Sequence, residues 1–154
     1  MKKLHVLVFI FVSVALLSIG QDINYSDLFS PAHEYHTREL NDPFTRLKPD
    51  FESGKRELDS SSSKAFIASL LEHLDVPASS QLLIFSRTSL QTRHISGSNP
   101  RAVYFNENVY IGYIPGGEVE ILSLDPELGG IFYMFKVPKS DQRPVMERAG
   151  RCMN

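Results

Sequence analysis

Apolar residues recur along this chain at two spacings, and each spacing predicts an element. Behind a cluster of helix-cap formers at residues 59–63, Phe66, Ile67, Leu70, Leu71 and Leu74 fall on one stripe at helical spacing. Val76-Pro77 closes that helix, because the residue before a proline avoids helical backbone. An apolar stripe of this kind needs something to cover.

What it covers is a set of strands. The run 81–86 is short and apolar, as expected of a buried strand. Residues 87–100 are polar and turn-rich. Val103-Tyr104-Phe105 and the run 109–114 flank Asn106-Glu107-Asn108, which reads as a hairpin with Val109, Ile111 and Tyr113 on one face. Pro115-Gly116-Gly117 turns the chain into a strand over 118–124, and Asp125-Pro126 with Gly129-Gly130 bounds the next turn. Ile131, Tyr133, Phe135 and Val137 then alternate against Phe132, Met134 and Lys136. The strand 118–124 breaks the alternation: Val119 and Ile121 share one face, but Leu122 and Leu124 take the other. A bulge near Leu122 or burial of both faces accounts for that. The pattern predicts an α+β fold, an antiparallel β-meander with one main packed helix, in a single small domain.

The flanks differ in composition. Lys2 and Lys3 precede an almost wholly apolar run, 4–17, and Ser18-Ile19-Gly20 supplies small residues before Gln21. That is the pattern of a signal peptide over 1–20, too short for a span of about 20 apolar residues. An uncleaved anchor is the alternative reading of that segment. The expectation is an exported protein, periplasmic or extracellular, with no membrane span after cleavage. Residues 21–58 carry Pro31, Pro43 and Pro49 and read as an irregular N-terminal arm, with at most one helical turn near 33–40. The α+β domain is expected over 59–137, and the polar, charged stretch 138–154 as a linker. Without Lys2 and Lys3 the 16 Lys and Arg become 14, against 18 Asp and Glu. The signs are interspersed and no basic block follows phosphates, so nucleic acid is excluded as the expected partner.

Candidate chemistry gathers in five places. The polar block Arg87, Ser89, Arg93, His94, Ser96, Asn99, Arg101 reads either as an anion-binding or catalytic loop, with Ser89 as nucleophile and His94 as base, or as a long turn. In the second reading its side chains satisfy backbone groups and Arg101 bridges to a carboxylate. His33 and His36 would share a helix face with Glu39 one turn on, short of the three or four convergent ligands a metal needs unless others join. His73 sits at the end of the predicted helix, where a cation favours the terminal carbonyls. Tyr104, Phe105, Tyr110, Tyr113, Phe132, Tyr133 and Phe135 read as sheet core, with aromatics on both faces of the hairpin leaving room for a second covered face.

The last candidate is Cys152, the only cysteine. Arg151-Cys152-Met153-Asn154 begins as the haem-attachment sequence Cys-x-x-Cys-His begins. The blocks 76–91, Ile95-Ser96, 99–106, 109–113, Gly116-Gly117, Asp125-Pro126, Leu128-Gly129 and Phe132-Tyr133 resemble a family of exported bacterial proteins associated with c-type cytochromes. Upstream, Asn41-Asp42-Pro43 and Leu47 resemble that family's entry to the domain, so the resemblance spans most of 41–137. In that family the domain is followed by an arginine-rich approach and Cys-x-x-Cys-His; Arg148, Arg151 and Cys152 match the approach and the first cysteine. The resemblance implies a non-catalytic N-terminal domain of an exported c-type cytochrome-like electron-transfer protein, here truncated within the haem motif. It implies haem c in the full-length protein, with Cys152 its cofactor-binding residue, no stable haem on this chain alone, and a redox partner protein. The competing expectations are a self-contained exported domain that binds a ligand or protein without haem, and a small hydrolase built on Ser89 and His94.

Overall fold

The computed structural model describes residues 34–87, 89–139 and 142–150. The chain divides into two compact units, 1–37 and 38–154. Of the first, the described part is a turn in which the Thr37 N–H donates to the Glu34 carbonyl at 3.0 Å. His33 lies outside the described residues. No helix among the described residues is long and apolar enough to cross a membrane.

The second unit is an antiparallel meander: β1 (Leu82–Ile84), β2 (Arg101–Phe105), β3 (Val109–Tyr113), β4 (Val119–Asp125), β5 (Gly129–Phe135) and β6 (Glu147–Arg148), in that order across one sheet. Two helices, α1 (Pro43–Ser53) and α2 (Ser63–His73), complete it. The expected α+β meander is present, with two helices where one was expected. The predicted helix stripe is buried in α2, capped where Ser62 Oγ accepts from the Ala65 N–H at 3.1 Å. His73 packs its ring edge on Phe51 and bonds the Glu57 carbonyl at 3.1 Å, a structural role.

Four expectations are corrected. The irregular arm over 21–58 contains α1, because Asp42-Pro43 is a cap followed by a helix-compatible proline rather than a turn. Pro49 inside α1 forfeits one backbone hydrogen bond, yet the helix continues on buried anchors, Phe44 and Phe51, a heptad apart. β1 is shorter than the run 81–86 and exposed, since among the described residues only β2 pairs with it. β4 has no bulge: its register with β3 and β5 runs unbroken, so Leu122 and Leu124 lie on a second, apolar face of a regular strand. The domain also does not end at Val137. In the expected linker 138–154, β6 pairs with β5, Met146 is 1% exposed, and its N–H reaches Glu52 Oε1 at 3.2 Å.

The helices cover one face of the sheet, called the inner face below. Phe44 meets Tyr133 and Phe135 there, with ring centroids 4.6 and 6.0 Å apart, and Phe66 meets Phe135. A largely buried polar lock fastens α1 to that face. Asp42 Oδ1 accepts from the Phe44 and Thr45 N–H groups, and Oδ2 from the Tyr133 hydroxyl at 2.7 Å. Thr45 Oγ1 lies 2.5 Å from that hydroxyl, and Ser123 Oγ accepts from the Phe44 N–H. Burial alone would raise the Asp42 carboxyl, but the polar groups of Ser123, Thr45 and Tyr133 outweigh it and hold the group below its usual 3.8. The Tyr133 hydroxyl is pushed up, by burial and by its bond to Asp42. Asp125 closes the β4–β5 turn from the Glu127 and Leu128 N–H groups and takes the Asn41 N–H at 2.7 Å. It too is held low: burial opposes, and those N–H groups with Arg38 prevail.

Candidate functional site: the outer face of the sheet

Strand alternation that sends Ile111, Ile121 and Ile131 inward must send their neighbours outward. The outer face therefore carries Val103 and Phe105 from β2, Tyr110 and Gly112 from β3, Leu122 from β4, and Phe132 and Met134 from β5. Leu82 and Ile84 from β1 extend it. Among the described residues no helix lies over these side chains: Tyr110 is 39% exposed, and Phe132 and Met134 are half-buried. Phe105 and Tyr110, direct register partners, stack at 5.8 Å. Ser89 and Leu90, carried on the connection from β1 to β2, line the same hollow. The result is a walled trough of about 740 Å³ rather than a flat surface.

Two charged groups, Glu120 and Arg101, stand among these apolar side chains. Glu120 lies across from Gly112, which in turn lies across from Val103. Glu120 Oε1 accepts from the Ser89 hydroxyl and from Gln91 Nε2 at 2.9 Å, and Oε2 from Arg101 Nη1 at 3.0 Å. Arg101 and Glu120 side chains are 17% and 21% exposed, so this ion pair is largely out of water. Gly112 makes room for it: a Cβ there would stand 3.3 Å from Glu120 Oε2.

Gln91 locks the loop to the sheet. Its Nε2 also donates to the Glu118 carbonyl at 2.9 Å, and its Oε1 accepts the Glu118 N–H at 2.6 Å, as a neighbouring strand would. Gly117 permits the approach, since a Cβ there would lie 2.5 Å from Gln91 Oε1. Gly116, at φ +81, forms the turn that presents Glu118, with the Gly117 N–H closing on the Ile114 carbonyl at 2.8 Å. Asn99 ties the far end of the loop to the His94 and Pro115 carbonyls.

The predicted polar block is thus divided. Ser89 and Arg101 turn to the trough, and Arg101 bridges a carboxylate as the turn reading expects. Arg93 and His94 instead line a second cleft, of about 580 Å³, with Lys136 and Glu118. No hydrogen bond joins Ser89 to His94. Ser89 Oγ donates to Glu120 and accepts the Gln91 N–H, while His94 Nε2 accepts from Arg93 Nε at 3.1 Å. The nucleophile–base arrangement is therefore absent from this structure. Among the described residues no group of three His, Cys, Asp or Glu side chains could hold a metal ion. Of the predicted aromatics, Phe105, Tyr110 and Phe132 line the trough, while Tyr133 and Phe135 are core. Cys152, the expected haem thioether, lies outside the described residues.

Two partners at this site escape sequence reasoning, Glu120 and Gln91. The available signal is Glu120 itself, a charge on the same strand face as Leu122, which demands a partner when that face is apolar. The fold and site define a small antiparallel α+β domain with an apolar trough around one paired charge. Comparison with protein-family models, with curated proteins and with solved structures finds no match to this chain.

Proposed function

We propose that this chain is a non-catalytic binding domain from the N-terminal part of an exported c-type cytochrome-like electron-transfer protein. Binding takes place on the outer face of the sheet, and electron transfer belongs to a haem domain that follows. The observation that carries the binding role is the trough: a contiguous apolar face left open by the helices, around an ion pair held rigidly by Ser89 and Gln91. Apolar hollows with a few fixed polar groups are the usual form of a ligand site. The cytochrome assignment draws on the family resemblance. The blocks that carry it contain Ser89, Arg101, Phe105, Tyr110 and Gly112, which line the trough.

The haem-domain reading expects a loose tail after Pro138, and the packing of residues 142–150 counts against it; in that reading Cys152 supplies the first thioether to the haem. The same packing favours a second reading, a self-contained exported binding domain without haem, because the tail closes the sheet edge by itself.

Reading the coding sequence past the Asn154 codon separates the two. An in-frame Cys-His and a further domain, with about one covalent haem per chain in the matured product, is the expected result. A stop codon with no continuing frame leaves the second reading. Export is tested on the same material: the mature chain begins at Gln21, and an N-terminus at Met1 or Lys2 would contradict cleavage.

A further inference from the structure

We infer that the outer-face trough binds an uncharged, elongated apolar molecule with one hydrogen-bond acceptor oxygen, which pairs with Arg101. The inference rests on the reading of the outer face as the binding surface and names its ligand class.

Size and lining come first. A hollow of about 740 Å³ is within the range that holds a small organic molecule. Its walls are aliphatic and aromatic from Ile84 and Leu90 at one side to Phe132 and Met134 at the other. Apart from Ser89, Arg101 and Glu120, the lining offers contact to a chain or ring system rather than to a polar one.

The head group follows from Arg101. Its Nη1 is spent on Glu120, but its Nε is buried and has no hydrogen-bond partner among the described residues. Buried donors are nearly always satisfied, and one left alone carries a free-energy cost that an acceptor oxygen removes. Arg101 lines the trough, so a small adjustment of its side chain brings Nε to a ligand placed there.

Charge then narrows the class. Arg101 and Glu120 already cancel at 3.0 Å. A carboxylate ligand would lie beside Glu120 with no cation left to neutralise it, and an ammonium would lie beside Arg101. A carbonyl or ether oxygen faces neither penalty. The preferred ligand is therefore a neutral ketone, ester or similar molecule with an apolar body.

The test uses the full exported chain and the neutral fluorophore N-phenyl-1-naphthylamine, displaced by decan-2-one, decane and decanoate in turn. The fluorophore should bind saturably, one per chain. Decan-2-one should displace it about tenfold more effectively than decane or decanoate, the factor carried by roughly one hydrogen bond. Arg101→Lys keeps the charge beside Glu120 and removes Nε. It should bring decan-2-one down to the level of decane in the same protein. Absence of saturable binding would overturn the trough as a small-molecule site, and would leave the haem-domain reading to its own test. Decanoate binding as well as the ketone would overturn the uncharged head group. A ketone preference that survives in R101K would overturn the role of Arg101, and the wild-type comparison of the three probes holds even if that variant fails to fold.

Discussion

Replacing Glu120 with leucine removes the acceptor that joins the loop, the sheet and Arg101. Three donors lose their carboxylate: the Ser89 hydroxyl, Gln91 Nε2 and Arg101 Nη1. Hydrogen bonds to a charged group contribute about 1.5–3 kcal/mol each, and not additively. Breaking a buried pair from one side costs about 3–5 kcal/mol, which the 17% and 21% exposure of these side chains reduces. E120L should therefore lose about 3 kcal/mol. Arg101→Met leaves Glu120 with two donors and should lose about 2 kcal/mol. The double variant decides the matter. With Glu120 gone, Arg101 is an unpaired, largely buried cation, so removing it as well should cost nothing further. The coupling is then about 2 kcal/mol. Urea unfolding followed by far-UV circular dichroism measures all four proteins; tyrosine fluorescence is a second probe, because the chain has no tryptophan. If the double variant loses the sum of the two single losses to within about 0.5 kcal/mol, the pair is uncoupled and the description of the site fails.

Three other outcomes follow from the packing. Tyr133→Phe takes a donor from the wholly buried Asp42 carboxylate and should cost about 2 kcal/mol near neutral pH. Because Asp42 is held below 3.8 in the folded state, its contribution is complete above that value and lost as pH falls through the lowered one; Y133F raises the folded value, so acid unfolding should begin at higher pH, and superimposable acid titrations would contradict the lock. Gly117→Ala forces a Cβ against Gln91 Oε1 and the Ile114 carbonyl, and should cost about 2 kcal/mol and speed amide exchange at Glu118; unchanged exchange would mean that Gln91 does not fasten the loop. Met146→Ala should cost about 2–3 kcal/mol if the tail belongs to the core, and nothing if 142–150 is a loose linker.

The elements that were legible in the sequence are those whose side chains repeat with a period. The α2 stripe, the β2–β3 hairpin and the alternation of β5 each have one buried face long enough to read. β6 has no period to read: two polar residues at a sheet edge, held by backbone pairing, by Met146 and by the Ala149 N–H on the Phe132 carbonyl at 2.7 Å. In α1, Pro49 hides the helix, and its buried positions, Phe44 and Phe51, are too few to define a stripe. The break in the alternation of β4 left a bulge or two apolar faces as readings, and the unbroken register decides for a second apolar face marked by Leu122. At the site, a carboxylate partner for Arg101 was legible in kind and not in identity. Glu120 is 19 residues away, brought near by the register of two hairpins that no local pattern encodes. Ser89 and His94 share a polar run, but the turn Thr92–His94 carries them to different clefts.

The central claim is that this domain binds on the outer face of its sheet, and intermolecular nuclear Overhauser effects from decan-2-one to methyl-labelled protein test it most directly. Contacts are predicted from the alkyl chain to Ile84, Leu90, Val103, Leu122 and Met134, and none to Ile111 or Ile131 on the inner face. Contacts to the inner-face methyls, or none to the outer five, would contradict it.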